Sequence, residues 1–127
     1  MRGIVLAAAL LTAPAWATAD WQVVQQTPLQ TVAIDVASLE RRDDGVRFRE
    51  RHSLNGGRLD PHSRRAIREL LHKRQLDCRT RRIATLSRAV FSDHDALIEY
   101  RAVRPDKAAW QPIAPDDPVF RMVCGDS

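Results

Sequence analysis

The sequence predicts an α+β fold: a curved antiparallel β-sheet of about six strands, with one short C-terminal helix fastened to a face of it by a disulfide. Three observations carry that expectation. Short runs of alternating apolar and polar residues recur along the chain, separated by Asp-Gly, Asn-Gly-Gly and Pro-containing breaks. Helix-initiating and helix-stopping residues flank an apolar stripe in the C-terminal tail. The two cysteines, Cys78 and Cys124, lie in the long apolar run 75–91 and in that tail.

Residues 1–19 read as an export signal, with Arg2, an apolar run over 4–11, and Ala17-Thr18-Ala19 as a cleavage site. Cleavage is expected after Ala19, with Ala17 as the alternative. The apolar run is shorter than the ~18 residues of a membrane span. No cysteine at the end of the signal is placed to carry lipid. The mature chain, 20–127, is therefore expected to be one exported domain, periplasmic or secreted to the cell surface, with neither membrane span nor lipid anchor. Two cysteines far apart in an oxidising compartment are expected to pair rather than remain buried thiols. A loop of this length stabilises the fold by about 4 kcal/mol in the chain-entropy account.

Taken in order, residues 21–25 and 31–36 read as two strands around the turn at Pro28. Asp44-Gly45 then supplies the positive φ of a tight hairpin. The returning strand, 46–54, places Val46, Phe48 and Leu54 on one face and Arg47, Arg49 and Arg51 on the other, toward solvent or a partner. Asn55, Gly56 and Gly57 break it. Residues 60–72 fit a short helix, with Asp60 as cap, Pro61 at its first position and Ile67, Leu70 and Leu71 at helical spacing, or else a turn or long basic loop. The stretch 75–91 reads as one long central strand with a bulge at 81–83. Residues 92–95 turn the chain into a strand over 96–103. Residues 104–106 turn it again, and 108–113 form a short edge strand containing Pro112. In the tail, Asp117 caps a helix with Pro118 at its first position, Val119, Met122 and Val123 form its apolar stripe, and Gly125 stops it.

Catalysis has little basis in the sequence. Ser92, His94 and Asp95 have triad side chains but crowd into one turn, where nucleophile, base and orienting group cannot line up. Glycine-loop and metalloprotease motifs are absent. Asp43 with Asp44, and Asp116 with Asp117, read as turn and cap residues. His52, His62, His72 and His94 lack ligand spacing and read as surface side chains, so neither a metal nor another cofactor is expected. Asp35 is expected to be structural, accepting backbone N–H groups of the next turn or pairing with an arginine. Trp21 and Trp110 read as packing residues.

The charge is uneven. Residues 41–82 hold fourteen Lys/Arg against six Asp/Glu, and the remainder of the mature chain is mildly acidic. Such a field attracts polyanions such as lipopolysaccharide or glycosaminoglycan, and acidic protein surfaces. The proposed contacts are Arg47, Arg49, Arg51, Arg79, Arg81 and Arg82. Nucleic acid is not expected, because export removes it and few aromatics interleave with these arginines. The alternative is a periplasmic structural or assembly protein that meets another envelope protein through its sheet edge or the apolar rim around Trp110.

The landmarks also occur in a familiar order: Trp21, VAIDVASLERRDDGVRFRER, LDCRTRR, AAWQPIAPDD and a final VC. Within them stand Ile34, Asp35 and Ser38, then Asp77 and Cys78, then Trp110, Ile113 and Pro115 before Cys124. On these residues the mature chain resembles the surface-adhesin protein E family of bacterial envelope proteins. The resemblance implies an antiparallel sheet whose concave face holds a C-terminal helix through a disulfide, and a non-enzymatic function. It further implies binding of host matrix or serum proteins such as vitronectin and laminin.

Overall fold

The computed structural model describes residues 18–125. The expected export signal falls on 1–19, so nearly all of it lies outside the described residues. Seven strands and a helix follow one another: β1 (Trp21–Gln26), β2 (Gln30–Arg42), β3 (Gly45–Leu54), β4 (Ile67–Asp77), β5 (Arg82–Ser92), β6 (Leu97–Ala102), β7 (Trp110–Pro112) and α1 (Pro118–Cys124). β1 to β6 pair with their sequence neighbours as an antiparallel meander. β7 comes back to pair with the first part of β5, at Arg82, Ile83 and Ala84, while β6 pairs with the second part from Ser87. The sheet is open and mostly antiparallel, as the sequence predicts.

Two expectations fail. Residues 75–91 are not one bulged strand but the end of β4, a tight turn, and most of β5. The turn contains no glycine or proline. Asp77 Oδ1 accepts from the backbone N–H groups of Arg79 and Thr80, and Arg81 takes a φ of 56°. An Asx turn and one left-handed residue thus close the hairpin that no Gly-containing dipeptide announces. The second concerns residues 60–72, where the turn alternative holds at the start but neither a helix nor a long loop follows. A turn at 61–63 is followed by β4 from Ile67, and Asp60 caps that turn by accepting from Ser63 N–H. Ile67 and Leu70, three residues apart, share one core because the β4–β5 register slips between Ile67 and Glu69, and Leu71 falls on the opposite face, so simple alternation is lost.

The helix lies on one face only. Phe120 and Val123 of α1 pack with Ile34, Val46, Phe48, Leu76 and Ile83, and Val24, Ile113, Val119 and Met122 border that cluster. The sequence stripe omitted Phe120, which is buried at the helix's first turn. Asp117 accepts from Val119 N–H at 2.8 Å, and Gly125 follows the last turn at φ 82°. Cys78, just past β4, is bonded to Cys124 at the helix end, with Cα atoms 5.8 Å apart. Seven residues are too few for an independent helix. Apolar burial and the disulfide together hold it in place. A smaller cluster, Ile67, Leu70 and Val90 with Leu54 and Ile98 beside it, forms a second core.

The β2–β3 hairpin has one position of close approach. Gly45 adopts φ 132°, and a Cβ there would lie 2.6 Å from the Leu76 carbonyl oxygen on β4. Backbone cannot withdraw as a flexible side-chain tip can. Gly45→Ala is expected to cost about 2 kcal/mol, read as a lower urea midpoint with unchanged m-value. An unchanged midpoint contradicts the assigned geometry.

Candidate functional site

The face away from α1 carries the arginine row. Alternation along β3 buries Val46 and Phe48 on the helix side and turns Arg47, Arg49 and Arg51 to the other. Cross-strand register arranges that face in three tiers. Trp21, Asp35, Arg49, Lys73 and Ser87 form one; Val23, Ala33, Arg51, Leu71, Ala89 and Tyr100 the next; Arg47, Gln75, Ala84 and Trp110 the third. Ala33, Ala84 and Ala89 are buried although no element covers this face among the described residues. Small residues between long ones are shielded by the stems of their neighbours. Tyr100 and Val23 are 60% and 57% exposed at its two edges.

The arginines are not equally free. The Arg51 guanidinium stacks on the Trp21 ring at 4.3 Å and that of Arg49 at 5.5 Å, both cation–π contacts. Arg49 is also ion-paired to the buried carboxylate of Asp35. Arg47 Nε donates to Gln75 Oε1, and Gln75 in turn donates to the Asp44 carbonyl at 2.8 Å. The row is thereby held in fixed positions, with the charges of Arg47 and Lys73 the least neutralised.

Asp35 organises a break in β2. Register jumps from the Asp35–Arg49 pair to the Glu40–Arg47 pair, so residues 36–39 bulge against Phe48 alone. Asp35 Oδ1 accepts from the backbone N–H groups of Asp20 and Ala37, while Ser38 Oγ donates to the Asp35 carbonyl and accepts from Arg49 N–H. Burial alone would raise the Asp35 pKa. The backbone donors and Arg49 outweigh it and hold the carboxyl below its usual range.

Arg79 and Arg81 lie elsewhere, in the exposed β4–β5 turn, while Arg82 opens β5 at the end of the arginine face, with the parity of Ala84. Arg79 flanks a shallow cleft with Arg41 and Arg42 at that end of the sheet, and Arg82 donates to the Trp110 carbonyl. The six arginines therefore form two groups rather than one row. Trp110 lies on the arginine face, and Asp117 caps α1. Ser92 is buried with its Oγ accepting from the N–H groups of His94 and Ala96, which commits it to the turn.

Sequence reasoning missed a charged cluster on the helix-bearing face, between the two apolar cores. Glu50 is 1% exposed. Its Oε1 accepts from His52 Nε2 at 2.6 Å and from Arg74 Nη1 at 3.0 Å, with His72 Nδ1 3.9 Å away. His52 and His72, expected at the surface, are largely buried, with their ring centroids 5.0 Å apart. Burial pushes the Glu50 carboxyl up, but the His52 hydrogen bond, the nearby His72 and the Arg74 charge prevail and hold it far below its usual range. The parity of Glu50 with Phe48 was a legible signal that it points inward. His52 shares that parity on β3, whereas His72 and Arg74 were not legible without β4 beside β3.

No helix among the described residues is long and apolar enough to cross a membrane. A search of curated proteins finds no match. The family model described as surface-adhesin protein E matches residues 21–125, the whole sheet and the helix with both cysteines. The chain thus belongs to the surface-adhesin protein E family.

Proposed function

We propose that this protein is an exported, non-enzymatic binding module of the bacterial envelope, and that its arginine face receives an acidic protein or polyanionic matrix or envelope ligand. The observation that carries the reading is the composition of the uncovered face. Trp21, Trp110 and Tyr100 surround Arg47, Arg49, Arg51 and Lys73, and Trp, Tyr and Arg are the residues that dominate binding hot spots. Their mutual contacts lower the entropy lost when a partner docks.

Retention on immobilised heparin, used as a polyanion probe, tests this. The mature chain is expected to be retained and to elute earlier as salt rises. Arg47→Glu with Lys73→Glu should weaken retention more than Arg79→Glu with Arg81→Glu does. Absent or salt-insensitive retention, or loss only with the turn variants, contradicts the assignment.

A second reading is favoured by the outer edge of β6, where Leu97, Tyr100 and Val103 are exposed. Another envelope protein could add a strand there. Under that reading, charge reversal of the arginines leaves co-purifying partners unchanged.

A further inference from the structure

We propose that Glu50, His52 and His72 form a binding site for a divalent transition-metal ion of the zinc type. One carboxylate oxygen and two imidazole nitrogens from these residues lie within 4.8 Å of one another. Tetrahedral zinc with bonds of about 2.0–2.1 Å sets its donors about 3.4 Å apart. Here Glu50 Oε1 is 2.6 Å from His52 Nε2 and 3.9 Å from His72 Nδ1, so the donors bracket the required spacing. Side-chain adjustments of under about 1 Å bring all three into range.

A separate observation points to a missing partner. His72 Nδ1 is a buried nitrogen with no hydrogen-bond partner, an unfavourable state that a coordinated cation relieves. Outer contacts fit as well. Gln30 Oε1 lies 3.4 Å from His52 Nδ1. It can accept a hydrogen bond from Nδ1–H when the ring proton sits there and leaves Nε2 free to bind metal, the usual way a protein fixes a ligating tautomer. Arg74 reaches both carboxylate oxygens, at 3.0 and 3.4 Å, and keeps Glu50 oriented. Its charge opposes the cation, so affinity is lower than in an acid-rich site. The ligands come from adjacent strands β3 and β4, which fixes their backbone spacing. Two imidazoles and one carboxylate favour Zn²⁺, Cu²⁺ or Ni²⁺ over Ca²⁺ or Mg²⁺.

The test is titration of the tag-free, disulfide-bonded mature chain with Zn²⁺ against a chromophoric chelator, with Ca²⁺ as control. Expected are one Zn²⁺ per chain and no Ca²⁺ uptake. His52→Gln or His72→Gln should weaken binding by about tenfold or more, and His62→Gln with His94→Gln should not. Because a variant in this cluster can lose its fold, imidazole nitrogen resonances of the unaltered chain give a second readout. Shifts at His52 and His72 before His62 and His94 support the site. Absence of uptake, uptake that survives loss of both His52 and His72, or shifts confined to His62 and His94 overturns it.

Discussion

Replacing Cys78 and Cys124 together by serine is expected to lower the unfolding free energy by about 4 kcal/mol, the largest loss anticipated from any pair of side chains here. The disulfide spans a sequence separation of 46, so its removal frees a long loop in the unfolded chain. The native state also loses its fastening for a helix of seven residues, which marginal helix formation cannot replace. Phe120 and Val123 then have only their apolar contacts to hold them over Val46, Phe48 and Leu76. Denaturant unfolding of oxidised wild type against the double serine variant measures the loss. Far-ultraviolet circular dichroism should retain most strand signal where the variant is folded. A change below about 1 kcal/mol would mean that the helix is held without the bridge.

The second large effect concerns the buried pair of Glu50 and Arg74. Arg74→Met removes the cation nearest a carboxylate that is 1% exposed, and breaking such a pair costs about 3 kcal/mol. Glu50→Leu combined with Arg74→Met should cost much less than the sum of the two single changes, since no unpaired charge remains. The pH dependence has a definite sign. Glu50 and Asp35 both have folded-state pKa values below the unfolded ones. Their contribution is therefore full above the ordinary carboxylate range and declines as pH falls below about 4. In Arg74→Met the burial penalty is less opposed, so the Glu50 carboxyl rises toward its unfolded value and the stability that Glu50 loses on acidification becomes smaller, giving a shallower acid limb. Urea midpoints across this range check both statements. Additive single-variant losses, or an unmoved acid limb, contradict the cluster as described.

The parts of the fold legible in the sequence are those where one local signal acts alone. Asp44-Gly45 marks the β2–β3 turn, Val46 and Phe48 alternate with Arg47 and Arg49 along β3, and Asp117, Pro118 and Gly125 delimit α1. Where several demands overlap, the signal is lost. β4 lies between β3 and β5 and buries Leu70 on one side while Leu71 stands beside Arg51 and Ala89 on the other, so its pattern imitates a helix. The β4–β5 turn depends on the Asp77 side chain and the positive φ of Arg81, which composition does not reveal. The same loss hid the Glu50 cluster. His52 and His72 are far apart in sequence and meet only because β4 was added beside β3. The expected arginine row was legible because alternation along β3 is strict. Its partial neutralisation by Asp35 was not assigned to Arg49, since that pairing needs the register of β2.

The claim on which the functional account rests is that a partner meets the uncovered face and not the one that carries α1. Titrating the isotopically labelled mature chain with a heparin-derived oligosaccharide tests it residue by residue. The account predicts progressive shifts at the Trp21 indole N–H and at Arg47, Arg51 and Lys73, with Phe120, Val123 and Cys124 unmoved. Shifts centred on the helix or on the β4–β5 turn, with Trp21 and the β3 arginines unmoved, would contradict it.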